Sequence, residues 1–320
     1  MKPLRLIPRN TNIRIVGMRR LFFAISLAMV VASGGMFMTR GLNLGIDFLG
    51  GILIEVKTPK PAELGAMRAT LGSLGLGEVA LQEFGAPNDV LIRVARQPGA
   101  EAEQMVAVDV VKQALKAMNI GRITYQRIEF VGPKVSGELV EAGAVAVVSA
   151  VVLMLLYIWF RFEWQFSIGA VVALVHDVAL TVGMFAVTGI EFNLASIAAI
   201  LTIVGYSIND TVVVYDRVRE NLRRFKTMPM AELADRSINE TLSRTVMTSA
   251  TTLLALTALY VFGGEVISGF VFAMIFGVVV GTYSSIFIAV TLLLEIQPGR
   301  RDDDEDEAEA YPEAEILPPE

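Results

Sequence analysis

Cysteine is absent from this 320-residue chain, and histidine occurs once. The first absence excludes disulfide staples and thiolate metal sites. The second excludes a multi-histidine metal centre within one chain. Charged residues are sparse, at 19%, while apolar residues make up 54%, above the roughly 45–50% usual for a soluble domain. The net charge of −6 hides an uneven distribution: from Arg300 onward ten carboxylates face two arginines, and the rest of the chain is slightly basic. Such a block of like charge reads as a solvated, disordered tail, 295–320.

What the chain has in quantity is the long apolar run. A hydrocarbon core about 30 Å thick takes roughly 20 apolar residues as helix. Six stretches meet that length: 21–39, 139–160, 166–188, 194–215, 245–262 and 268–294. The basic residues sort the two faces. Lys2, Arg5, Arg9, Arg14, Arg19 and Arg20 precede the first stretch with no acid among them, so 1–20 is expected in the cytoplasm. Arg217, Arg219, Arg223, Arg224, Lys226 and Arg236 fill the loop 216–244, which six spans return to the same side. The short connections near 188–193 and 263–267 carry no Lys or Arg, as outer turns should. The first stretch also resembles a cleavable signal, with Ala32, Ser33 and Gly34 as small residues. Its apolar run continues through Met36, Phe37 and Met38, and it is read as an anchor.

Residues 40–134 form an external soluble domain. Alternation predicts strands at 52–57, 78–84, 90–96 and 122–131. Helical spacing predicts helices at 61–74, through Leu64, Met67, Leu71 and Leu74, and at 101–118, through Val106, Val110, Leu115 and Met118. Gly85, Pro87, Asn88 and Asp89 make a turn cluster between the middle strands. The order strand–helix–strand–strand–helix–strand is the ferredoxin-like pattern. The fold class is therefore a polytopic α-helical membrane protein with six spans and a ferredoxin-like α+β domain between the first two. No nucleotide loop, metal cluster or nucleophile–base constellation stands out in that domain. No cofactor, metal, enzymatic step or nucleic-acid partner is expected.

Charges inside a bilayer are costly and face a bundle interior or a water-filled cavity. Asp210, after Asn209, lies about five residues before the expected inner end of the fourth span, roughly 8 Å deep at 1.5 Å per residue. His176 and Asp177 fall near the middle of the third span. Arg244 opens the fifth, ahead of Thr245, Thr248, Ser249, Thr251 and Thr252. Spans four and five run antiparallel, so Asp210 and Arg244 sit at similar depth and meet if the helices pack. The bland readings are an Arg244 that snorkels to the surface, a shallow interfacial Asp210, and a His176–Asp177 pair that only knits helices. Gly277 and Gly281 have the spacing of close helix packing.

Three motifs carry a resemblance. They are Gly45–Ile46–Asp47–Phe48–Leu49–Gly50–Gly51 after the first span, Val175–His176–Asp177–Val178 in the third, and 204–221 around Asn209–Asp210–Thr211. With them, residues 11–294 resemble the SecD/SecF family of the bacterial protein-export machinery, and its smaller members in particular. The resemblance implies a chain that pairs with SecD in a twelve-span assembly, similar in plan to proton-driven exporters of the resistance–nodulation–division superfamily. It implies association with the SecYEG translocon, often with YajC and YidC, in the cell membrane. It implies use of the proton-motive force to move a translocating polypeptide outward after the ATP-dependent work of SecA. Asp210 and Arg244 match the family's proton pathway, with Asn209, His176 and Asp177 as secondary members. Gly45, Asp47, Phe48, Gly50 and Gly51 match the segment joining the first span to the external domain. A small-molecule exporter and a proton-inert scaffold remain as alternatives.

Overall fold

The computed structural model describes residues 11–84, 86–99, 101–264 and 267–296. A 3-10 turn, Val16–Met18, leads into α1 (Arg19–Arg40). One turn of helix, α2 (Ile46–Leu49), opens the external domain. There follow β1 (Gly51–Lys57), α3 (Leu64–Gly72), β2 (Val79–Phe84), β3 (Ala86–Val94), α4 (Glu101–Ala117) and β4 (Thr124–Val131). Four long helices come next: α5 (Pro133–Arg161), α6 (Trp164–Thr188), α7 (Leu194–Arg224) and α8 (Met230–Phe262). The last span is α9 (Ser268–Ser284), a π-helical turn (Ser285–Ala289) and α10 (Val290–Ile296). Among the described residues, six helices are long and apolar enough to cross a membrane.

The external sheet has the order β2-β3-β1-β4 with every neighbouring pair antiparallel, the ferredoxin-like arrangement. Period-two alternation decides its faces. Ile52, Ile54 and Val56 of β1 and Val90, Ile92 and Val94 of β3 point to one side, where Met67, Leu71, Val111 and Leu115 of the two helices cover them. The other face turns Leu53 and Leu91 toward Ile46 at the domain's root.

Several boundaries differ from expectation. α3 is shorter than 61–74, and β3 begins at Ala86, so Pro87, Asn88 and Asp89 belong to a strand rather than a turn. Gly85 lies outside the described residues. In α4 the inward face is Gln104, Ala107, Val108, Val111 and Leu115, whereas Val106 is 61% exposed. Both faces carry valines, and spacing alone does not choose between them. The largest difference is the expected loop 216–244. α7 continues unbroken to Arg224, and α8 already begins at Met230. Ladders of charge at helical spacing hold these extensions: Arg217 to Glu220, Arg236 to Glu240, and Arg217 across to Glu240 at 2.7 Å. A hydropathy window is blind to helix whose residues are mostly charged or polar. The acidic tail beyond Ile296 and the residues Lys2, Arg5 and Arg9 lie outside the described residues.

The spans divide into an inner and an outer set. About half or more of the apolar window of α6, α7 and the last span is buried, at 61%, 50% and 56%, against 6% for α1, 6% for α5 and 11% for α8. The core pair α7–α9 packs closely because Gly277 and Gly281 lack side chains. A Cβ on Gly277 would lie 2.3 Å from Ile203 Cδ1, and one on Gly281 3.1 Å from Ser207 Cβ. At one end of the bundle, Phe162 and Phe166 meet Tyr215, which is fully buried. The segment before α1 is pinned beside them. Asn239 of α8 exchanges two hydrogen bonds with the backbone of Ile13, and Val16 N donates to Asp235.

Candidate functional site

Two carboxylates lie inside the bundle, each held by hydroxyls from neighbouring helices. Asp210 of α7 is 8% exposed. Its Oδ1 accepts from Thr245 Oγ1 of α8 at 2.6 Å, and its Oδ2 from Ser285 Oγ at 2.6 Å. Both lengths are at the short end for O–H···O hydrogen bonds. Asp177 of α6 is fully buried. Its Oδ2 accepts from Ser207 Oγ of α7 at 2.6 Å and from Ser284 Oγ of α9 at 2.7 Å. Its Oδ1 lies 3.0 Å from His176 Nδ1. His176 Nε2 is buried and meets no protein acceptor, and its ring faces Tyr283 at 6.1 Å between centroids. Tyr283 in turn donates to Phe22 O and shares a hydrogen bond with Ser26, both of α1.

The residues expected to act together are only partly brought together. Thr245, not Arg244, reaches Asp210. Arg244 is exposed on α8 and forms no ion pair with Asp210. A helix that turns one residue inward turns its neighbour outward. Asn209 is likewise exposed. Ser207, Ser284 and Ser285 were not singled out by sequence. Their signal is visible in hindsight: two consecutive serines in the apolar last span, and a serine one helical turn before Asp210. A further polar chain, Tyr206 to Ser249 to Thr282, continues from this cluster across α7, α8 and α9. Among the described residues no group of three metal-ligating side chains occurs.

A second constellation sits where the external domain meets the helices. The segment Asn43–Asp47 lies along the α6–α7 connection. Gly45 N donates to Phe192 O at 2.9 Å, Phe192 N to Asn43 O at 2.8 Å, and Asn43 Nδ2 to Gly189 O at 2.9 Å. Asp47 accepts from Leu194 N at the first turn of α7, beside the reciprocal cap made by Asn193 and Ser196. Phe48 packs against Phe192, and Arg93 of β3 faces Glu191 at 3.5 Å. Gly50 and Gly51 make the step from α2 into β1. Both have positive φ, +70° and +131°. A Cβ on Gly51 would fall 2.6 Å from Val94 O.

Burial pushes the Glu191 carboxyl above the usual range; Arg93 opposes the rise and Asp47 adds to it. A carboxyl whose folded pKa is raised contributes stability in full below its unfolded pKa, about 4.3. That contribution is lost as pH rises through the raised value. Hydrogen exchange at the Gly45 and Phe192 amides is therefore expected to quicken as pH rises through that window, once intrinsic exchange is corrected for. Glu191→Gln should flatten the dependence; an unchanged profile in that variant would assign it to another group.

Six spans with one α+β domain rooted after the first by a glycine pair define a class of polytopic membrane protein. Two family models match the chain: "SecD/SecF GG Motif" over residues 35–62, and "Protein export membrane protein SecD/SecF, C-terminal" over residues 110–298. The protein translocase subunit SecF of Cereibacter sphaeroides is 46% identical over 297 residues, covering 91% of this chain and 91% of that protein. That of Rickettsia akari is 44% identical, covering 91% and 94%. The crystal structure of SecDF, a translocon-associated membrane protein, from Thermus thermophilus superposes with a TM-score of 0.82 at 36% identity over 92% of this chain. SecDF in its super-membrane-facing form gives 0.65 at 33% identity. The chain belongs to the SecD/SecF family, and along most of its length it is similar to the members named SecF. It spans 40% and 41% of the two SecDF chains.

Proposed function

We propose that the chain is the SecF-type subunit of a SecD–SecF complex that uses the proton-motive force to promote polypeptide translocation after the SecA step. The observation that carries the reading is Asp210, buried and gripped by hydroxyls from two other helices. Its charge state governs the packing of α7, α8 and α9. Protonating it removes the charge that makes both contacts strong. A hydrogen bond to a charged group contributes about 1.5–3 kcal/mol. One proton moved through 100 mV supplies about 2.3 kcal/mol. The two magnitudes match, so one proton suffices to exchange one of these contacts for another arrangement.

The same reading makes Arg244 the counter-charge that approaches Asp210 during the cycle. It treats His176 and Asp177 as the polar knot that holds α6, α7 and α9 while α8 moves. A SecD chain supplies the remaining spans, a reading supported by this chain's matching only 40% of the longer SecDF chain. The largely uncovered faces of α1, α5 and α8 leave room for it. SecYEG, YajC and YidC are the further partners. Both termini are cytoplasmic and 40–134 is external, following the Lys/Arg bias. The proposal assigns the chain no covalent chemistry.

Asp210→Asn keeps the size of the side chain and removes its ability to carry a proton. Export by vesicles bearing this variant is expected to fall to the level seen without a proton gradient, while the variant still co-purifies with SecD. Full gradient-stimulated export by an assembled Asp210→Asn complex would sink the coupling role and leave a scaffold.

A further inference from the structure

The π-helical turn Ser285–Ala289 interrupts the last span at the level of both carboxylates. Such turns are rare and occur disproportionately at functional sites. Here the turn is held at both ends. Ser284, just before it, donates to Asp177; Ala289 O, at its far end, accepts from Tyr215 Oη at 3.1 Å. Between these anchors Ser285 donates to Asp210. Consecutive residues of one helix therefore bind two different carboxylates on two different helices. Ser285 Oγ also has a second acceptor within reach, Thr282 O at 3.1 Å. Thr282 belongs to the chain that continues through Ser249 to Tyr206.

We infer that Ser285 is a positioning residue that reads the charge of Asp210, with the π-helical turn as the element that absorbs its change of partner. The inference rests on the proton-carrying role of Asp210 and deepens it. With Asp210 ionised, Ser285 bonds the carboxylate and α9 is tied to α7. With Asp210 protonated, the hydroxyl turns to Thr282 O, and the tie between α7 and α9 at this level is lost. Ser284 does not follow, because Asp177 keeps its other donors, Ser207 and His176. The turn is thus pinned at 284 and at 289 and free at 285. The charged or titratable groups on the elements packed here are Arg244, next to Thr245 on α8, Tyr206, one turn before Asp210 on α7 and joined through Ser249 to Thr282, and Asp177 with His176 on α6, joined to Ser284 beside Ser285.

The test is the pH profile of gradient-driven export by reconstituted complexes. Ser285→Ala removes a donor that favours the ionised carboxylate. The midpoint is expected to move up by about one pH unit, a tenfold change in proton affinity, with assembly unchanged. Ser285→Thr keeps the hydroxyl and should restore the original midpoint. In an Asp210→Asn background, Ser285→Ala should add nothing to the defect, the non-additivity of groups acting as one unit. An unmoved midpoint in an assembled Ser285→Ala complex overturns the inference while leaving the role of Asp210 intact. An additive loss in the double variant overturns it also. Proton-driven export by Asp210→Asn alone overturns both.

Discussion

Gly51→Val is expected to abolish accumulation of the protein rather than merely reduce its activity. Two independent costs fall on this one position. At φ +131° an L side chain meets its own backbone, a strain of about 1–3 kcal/mol. The new Cβ would also lie 2.6 Å from Val94 O on the paired strand. That neighbour is backbone within the ladder, held by the register Ile52↔Val94, and it has no rotamer to yield. Overpacking of this kind adds about another 1–3 kcal/mol. The sum is a large part of the roughly 5–15 kcal/mol that stabilises a domain. The measurement is the steady-state level of full-length protein and its resistance to protease added from the external side. Gly34→Val is the control, because a Cβ there meets nothing within 4 Å. Equal levels of the two variants would mean that β1 does not need its glycine.

Asp177→Ala should cost the bundle more stability than any other single truncation near the cluster, while Asp177→Asn should be tolerated. The carboxylate is fully buried and is the acceptor for two serine hydroxyls and the partner of His176. Removing it leaves Ser207 Oγ and the His176 ring without a partner. Ser284 retains Gly281 O at 3.1 Å. Each buried polar group left unsatisfied costs about 1–3 kcal/mol, so a loss of about 2–6 kcal/mol is expected for the two. Asparagine keeps an acceptor oxygen in the same place. In detergent, thermal melting of the SecD-bound complex should fall by many degrees for Asp177→Ala and by few for Asp177→Asn, with proton-stimulated export retained in the latter. If Asp177→Asn melts normally yet loses all response to the gradient, Asp177 carries protons itself and is more than a knot.

The fold class was legible because both of its signals are periodic. Six apolar runs of bilayer length and four alternating segments separated by two helical ones are one-dimensional patterns. The parts that were not legible depend on rotation and on polar helix. Val106 and Val108 are chemically alike, and only packing against β1 and β3 decides that Val108 faces the core. The charged continuations of α7 and α8 are too polar to read as spans, although Val218, Leu233, Ala234 and Ile238 within them are buried at helical spacing. In the site, residue type was informative and contact was not. Asp210 stood out as an expensive side chain, but an antiparallel pairing of α7 and α8 allows either Arg244 or Thr245 to face it. The choice follows from the roll of α8, which no linear pattern encodes. Serines in an apolar run are too common to mark Ser284 and Ser285 without the carboxylates they meet.

α7 runs without a break from Leu194 to Arg224, 31 residues, about 46 Å at 1.5 Å per residue. Its first turn is clasped by Asp47 of the domain's root, and its last turns are locked to α8 through Asn221 and Glu240. Asp210 sits near the middle of this rod. Rolled about that point by 10°, the rod would carry its domain end sideways by about 4 Å, over the roughly 24 Å that separate Leu194 from the carboxylate. The opposite end would swing the other way. A helix uninterrupted by proline or bulge is a stiff rod, so a tilt imposed at either clasped end would be delivered, in the opposite sense, at the other.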